Sequence, residues 1–436
     1  MVALAYANQI LKLDIPQKNI IFDLSPAEAE PAPNARAAVL EALAHPVGTP
    51  SLGQMVRRGM KVVIIADDNT RVTPTKMLVP ILLDELNAAG IPDRDIQIIV
   101  ASGTHRPMTP AEIVAKYGEP VLSRVPVTCH NYKDTTNLVD YGTTQRGTRV
   151  VVNRQVVEAD FRIGVGMVIP HHPTGWAAGA KIVLPGVGGE ETVAHMHLLG
   201  SRDPALGKVE TEMRREMEEF AEVIGLNFVL QVVLNRHEKL VNAFAGHFIT
   251  AHRAAVKNAE EVFGAPFVEM ADLTLSSTAP VDFDFFQADK GIFAAELCTR
   301  RGGEIVLVSA CYEGVSPAHP ELADYTSMPS SQIWEMLARH EIPDPLTAAE
   351  AIVLNDLREK VSITLATKGL SPALAARLGC RHVGPGELNC YLRDRLAQEP
   401  DLKIGILRQS AEVLPVFRPA CNKEATRDIA LAGEGR

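Results

Sequence analysis

The chain has 436 residues, enough for two or three domains with full-sized cores. Its 46% hydrophobic and 22% charged residues fit an ordinary globular protein, and a formal net charge of −10 argues against nucleic acid as the main partner. No apolar run reaches the roughly 18 residues of a membrane span, and the N-terminus lacks the basic-then-apolar pattern of a secretory signal. Cys129, Cys298, Cys311, Cys380, Cys390 and Cys421 are scattered without a Cys-x-x-Cys pair, so reduced thiols and a cytoplasmic setting are expected.

In chain order, Lys61–Ala66 is an apolar strand run, and 76–86 carries apolar residues at helical spacing. A second strand is expected over 95–101. Thr109-Pro110-Ala111-Glu112 then forms a capping box that opens a helix over 110–117. Strands follow at 161–168 and 227–234, and a helix at 250–263. A second alternating run comprises strand 271–277, helix 287–300, strand 304–309, helices near 330–339 and 347–358, strand 361–366, helices 372–378 and 386–397, and strand 402–407. This alternation predicts an α/β protein with two α/β domains, mostly parallel sheets and an interdomain cleft. The expected division is 1–270 and 271–407, with the tail 408–425 packing back on the first domain.

In open parallel sheets, ligand sites gather in loops at the carboxyl ends of strands. Three motifs occupy such loops. Asp67-Asp68-Asn69-Thr70-Arg71 offers two carboxylates and a cation suited to a substrate carboxylate; capping and surface pairing would use the same residues. Gly103-Thr104-His105-Arg106 puts a histidine at a strand end, either structural or reactive, beside a glycine that permits positive φ. Pro170-His171-His172-Pro173 leads through a small-residue loop to Lys181, and His195 and His197 follow. Lys181 suits a covalent anchor, a phosphate contact or a solvated surface. Alternation leaves one of His171 and His172 facing a given cleft, and a helix separates His195 from His197 by about 200°. Gln287 and Lys290 stand one helical turn apart, placed either to reach an anionic substrate or to lie exposed. The Walker, Gly-x-Gly-x-x-Gly and His-Glu-x-x-His patterns are absent.

The ordered set resembles the nickel-dependent lactate racemase family, over nearly the whole chain. It consists of Asp-Asp-Asn-Thr-Arg-x-Thr-Pro, Gly-Thr-His-Arg-x-Met-Thr and Pro-His-x-x-x-Gly-x-x-x-Gly-Ala-Lys-x-x-x-Pro-Gly, with a histidine sixteen residues after the lysine. Gln287 and Lys290 match a fourth motif. The resemblance implies a 2-hydroxy-acid racemase or epimerase, an isomerase. Its cofactor would be the nickel-pincer nucleotide, nickel pyridinium-3,5-bisthiocarboxylic acid mononucleotide, joined to Lys181. His197 would be the protein ligand to nickel, and His105 and His171 the paired acid/base groups. Arg71 and Lys290 would hold the substrate carboxylate with Gln287 nearby, while Asp68 and Thr70 would lie against the cofactor. The partners implied are a small 2-hydroxy acid and the cofactor-synthesis enzymes, without which the protein would be apo.

Two bases are what such a reaction demands. Removing the α-hydrogen as hydride requires the hydroxyl proton to leave with it, and a racemase must do this for either configuration. The chain departs from the family pattern at Met196, where Asn often precedes the nickel ligand, and at Phe286, where the lactate enzymes carry Tyr. Leu346–Asn355 also lacks a Trp found in that helix of the lactate enzymes. These departures imply a reshaped pocket and an acid larger or more polar than lactate, such as malate or a sugar acid. The rival expectations are a nickel-independent 2-hydroxy-acid dehydrogenase or lyase, and a non-catalytic protein binding hydroxy acids or nucleotides.

Overall fold

The computed structural model describes residues 1–202 and 205–419. Cys421 and the end of the 408–425 tail lie outside the described residues. Two six-stranded sheets carry the architecture. The first runs in the order 240–246, 228–234, 161–167, 62–67, 96–101, 127–129. It is parallel except for the antiparallel hairpin between Phe228–Leu234 and Leu240–Gly246. The second, 381–383, 362–366, 299–308, 271–277, 404–408, 20–24, is parallel throughout.

The central strands are continuous runs of Val, Ile and Leu, as burial on both faces requires. Val62–Ala66 and Ile98–Val100 are wholly enclosed. Helices Thr75–Ala88 and Thr250–Phe263 contribute Leu78, Leu82, Leu86, Val256 and Phe263 to the core on one face of the first sheet. The other face packs against Glu212–Ile224 and the segment holding Ala180–Val187. The capping box at Thr109 forms: Thr109 Oγ1 accepts from Glu112 N, and Glu112 accepts from Thr109 N at 2.7 Å.

The order of each sheet sets the site. In the first, the chain moves outward from 62–67 to 96–101 and 127–129, then returns to place 161–167 on the other side of 62–67. In the second, 404–408 returns in the same way to the far side of 271–277. A crevice opens at the carboxyl ends of strands where the order reverses, because neighbouring connections leave in opposite directions.

Two expectations need correction. The first 24 residues do not join the first sheet: Ile20–Leu24 is an edge strand of the second, paired with Ile404–Leu407. The hairpin Val2–Leu13 shares a core with Leu273, Val306 and Ile406. That edge offers an unpaired strand and an apolar face that a short N-terminal hairpin can cover. The expected helix 287–300 is instead two short helices, Phe285–Ala288 and Lys290–Glu296, with a strand starting at Thr299. In the tail, Leu414–Phe417 pairs in parallel with Gly264–Phe267.

Candidate active site

The strand-end loops of both sheets converge on a cavity of about 120 Å³. Its lining includes Arg71, His105, His171, Lys181 and His197 from the first part of the chain, and Gln287 and Lys290 from the second. The residues singled out from sequence are thus brought together, except Asp68 and Thr70, which stand behind His105.

Asp68 is 3% exposed, and its Oδ2 accepts from His105 Nδ1 at 2.7 Å. Its Oδ1 accepts from Thr70 N at 3.0 Å and Thr70 Oγ1 at 2.6 Å. Burial works to raise this carboxyl, but His105, Thr70 and Arg71 outweigh it and hold it well below the usual carboxylate range. The bond to Asp68 assigns the proton of His105 to Nδ1 and leaves Nε2 for exchange. Gly103, at φ +54°, makes the turn that brings His105 round. The Arg71 guanidinium donates to Thr70 O at 3.1 Å, and among the described residues no carboxylate pairs with it. Lys116 donates to Arg71 O and, at 3.0 Å, to Thr73 O, fixing the loop from below.

His171 is fixed in the same manner. Thr174 Oγ1 gives its proton to Trp176 O at 2.9 Å and lies 3.1 Å from His171 Nδ1, so Nδ1 donates to the hydroxyl and Nε2 carries the lone pair. Burial, then the charges of Lys181, Arg71 and Lys290, push its pKa well below the ordinary histidine value. His172, the next residue along the strand, also lines the cavity; it is 5% exposed and stacks on Phe293 with ring centroids 3.4 Å apart, so alternation does not remove it from the cleft. Both its ring nitrogens lack a hydrogen-bond partner, and burial pulls its pKa down to about 3.

Lys181 follows a strained turn. Ala178 sits at φ +62°, a conformation costly for a residue with a Cβ, and Gly179 follows at φ +60°. The turn is held from outside: Gly179 N donates to Gln231 Oε1 at 2.8 Å, and the buried Arg214 donates to Thr174 O, Trp176 O and Ala178 O. Burial, with Arg71 beside it, lowers the Lys181 pKa to about 7, so much of the amine is neutral near neutral pH. His197 and His195 lie on different faces of helix Glu190–Gly200. His197 Nδ1 donates to Val193 O at 2.8 Å, which leaves the Nε2 lone pair unused on a side chain that lines the cavity. Burial lowers its pKa to about 4, further favouring the neutral ring. His195 bonds Thr148 Oγ1 at 2.7 Å and does not line the cavity. Among the described residues, no three His, Cys, Asp or Glu side chains could hold a metal ion. A metal at His197 would therefore need ligands brought by a cofactor.

On the opposite wall, Lys290 donates to Gln287 Oε1, and Asp284 Oδ1 caps the turn by accepting from Gln287 N at 2.7 Å. Burial, then Arg71, lowers Lys290 to about 8. Phe286 lines the cavity and stacks on His319, centroids 4.9 Å apart. Sequence reasoning did not single out Asp289, Glu350 or Arg214. The signal for Glu350 was available: it is a lone carboxylate in the apolar run Leu346–Leu354.

Residues 6–207 match the family model for the lactate racemase N-terminal domain. Over 282 residues, 63% of the chain, the sequence is 32% identical to the lactate racemase of Lactiplantibacillus plantarum. It is 30% identical over the same length to that of Thermoanaerobacterium thermosaccharolyticum. Each alignment spans 66% of the relative's own length, just under two thirds. The structure of the lactate racemase apoprotein from T. thermosaccharolyticum superposes with a TM-score of 0.84 at 25% identity, covering 95% of this chain and 99% of that one. A Thermotoga maritima protein shares the fold, with a TM-score of 0.70 at 19% identity over 89% of this chain and all of its own.

Proposed function

We propose that the chain is a member of the lactate racemase family, a racemase or epimerase of 2-hydroxy acids that works with a nickel-pincer nucleotide. The observation that carries this reading is the pair His105 and His171. Each has its Nδ1 engaged, by Asp68 and by Thr174, and each presents Nε2 in a lining that also holds Lys181 and His197.

The residues fit the cofactor. Lys181 is buried with its pKa drawn down to about 7, as an amine must be to form and keep an amide-type bond. His197 has the neutral tautomer that leaves Nε2 for a metal. When bound, the group would accept the α-hydrogen of the substrate as hydride and return it. Arg71 and Lys290 fix the substrate carboxylate as cations, with Gln287 steadying Lys290. With the acid so held, one histidine Nε2 takes the C2 hydroxyl proton as the α-hydrogen leaves. The hydrogen then returns to the other face of the 2-oxo acid while the second histidine, the base for the opposite configuration, delivers a proton to its oxygen, and exchange with solvent resets the two rings. Oxidation and reduction cancel, so no external redox partner is consumed. Asp68 acts through His105, holding its ring and stabilising the imidazolium while the proton resides there. The cleft position and its apolar walls limit water, which would otherwise compete for the proton.

The test is to incubate cofactor-loaded protein with single enantiomers of a panel of 2-hydroxy acids in D2O and to follow configuration and Cα labelling. The reading expects interconversion with the α-hydrogen retained. Rapid deuterium entry at Cα would replace hydride transfer with proton abstraction, and no interconversion of any member would leave the dehydrogenase, lyase or binding-protein readings.

A further inference from the structure

The proposed reaction does not use three polar side chains at one end of the cavity, Asp289 and His172 buried and Glu350 half-buried. Asp289 is 3% exposed, and His172 is 5% exposed with neither ring nitrogen partnered. Glu350, from helix Pro345–Arg358, faces Asp289 across the same lining. Asp289 and Phe293 are four residues apart on one helical face, and the His172 ring is stacked on Phe293, so the histidine stands one turn from the carboxyl pair.

With both carboxyls ionised, Asp289 Oδ2 and Glu350 Oε1 have no donor. Burial raises both carboxyls, and the charge of Glu350 raises Asp289 further, while the hydrogen bond with Asp289 and the charge of Lys290 work against the rise at Glu350; the pair therefore retains a proton. Such a pair has one oxygen that can donate and others that accept, and the neutral His172 ring adds one donor and one acceptor. A methyl group placed here would leave these groups dry and unpaired, which is costly. A second carboxylate would meet a shared negative charge. Hydroxyl groups both donate and accept, and they satisfy all three.

We propose that His172, Asp289 and Glu350 form a subsite for hydroxyl groups beyond C2, so that the acid handled is a 2,3-dihydroxy or longer polyhydroxy monocarboxylate. This rests on the 2-hydroxy-acid reading above and narrows it: a sugar-acid-like substrate is favoured over lactate and over malate.

The test compares glycerate, lactate and malate in two measurements: calorimetric binding to the apoprotein, and interconversion of enantiomers by the cofactor-loaded protein. Glycerate is expected to bind at least about tenfold tighter than lactate or malate, since sites built to hydrogen-bond a hydroxyl reject analogues lacking it. In Glu350→Gln the glycerate-to-lactate ratio should fall several-fold, and in Glu350→Leu it should fall further, to the part that His172 supplies. His172→Phe, which keeps the stack on Phe293, should lower the ratio independently of the carboxyl pair. Equal or tighter binding of lactate, tightest binding of malate, or ratios unmoved by folded variants at both positions would overturn the subsite. Selective glycerate binding without turnover by loaded protein would uphold the subsite and overturn the racemase reading. Turnover without selectivity would do the reverse.

Discussion

The two walls of the cleft are built differently. On the first, each reactive group is tied to a partner outside the cavity: His105 to Asp68, His171 to Thr174, His197 to Val193 O, and the Lys181 turn to Gln231 and Arg214. On the second, the polar groups lean on one another, Lys290 on Gln287 and Asp289 on Glu350, and several atoms are left without partners. A wall whose side chains are locked by their supports suits chemistry that requires fixed geometry. A wall with unmet hydrogen bonds suits recognition, because a ligand supplies what is missing. On the proposed reading the bases and the anchor lie on the first wall, and the choice of substrate lies where the unpartnered His172 of that wall meets Asp289 and Glu350 of the second.

The largest expected break is at the bases. His105→Ala and His171→Ala should each cut interconversion by about 10²–10⁴-fold, measured from each enantiomer, if both hold the hydroxyl proton. A variant with wild-type rates in both directions would remove that histidine from the reaction. Asp68→Asn, which spares the ring but weakens its orientation, should cost about 10–100-fold in the same assay. It should also change acid stability. The Asp68 carboxyl is held below its unfolded value, so its stabilisation is present above the unfolded pKa and lost as pH falls through the folded one. Thermal melts of Asp68→Asn should therefore fall less steeply than wild type below about pH 4.

Lys181 sharpens the contrast in a different way. In the apoprotein, acylation of this residue by a small amine-reactive ester should rise through pH about 7, whereas an exposed lysine would rise near its ordinary value of about 10.4. A reactivity profile centred near 10 would mean a protonated, solvated amine. The smallest effect belongs to His195. His195→Ala loses the bond to Thr148, about 1 kcal/mol of stability by melting, and should keep activity because the side chain lies outside the cavity.

The first wall was legible in the sequence because strand-end loops concentrate polar residues in short contiguous motifs, and a parallel sheet brings its strand ends together. The histidine doublets were not resolved there. His171 and His172 both line the cavity and are told apart only by their partners, Thr174 for one and the Phe293 ring for the other, and His195 parts from His197 only once the helix register is known. The second wall was read through Gln287, Lys290 and Phe286, and through the lack of a Trp in Leu346–Asn355. Asp289 and Glu350 were not singled out, because their meeting depends on how Pro345–Arg358 packs. The N-terminal hairpin was misplaced for a similar reason, since the strand that completes the second sheet, Ile20–Leu24, lies some 380 residues from its partner Ile404–Leu407.

The account depends most on Lys181 as the cofactor's anchor. Intact mass of the chain produced together with the cofactor-synthesis enzymes, with peptide mapping and nickel analysis, tests it. The expected result is one nucleotide-derived adduct on Lys181 and one nickel per chain, both lost in Lys181→Ala. An unmodified, nickel-free chain that still interconverts the enantiomers of a 2-hydroxy acid would contradict it.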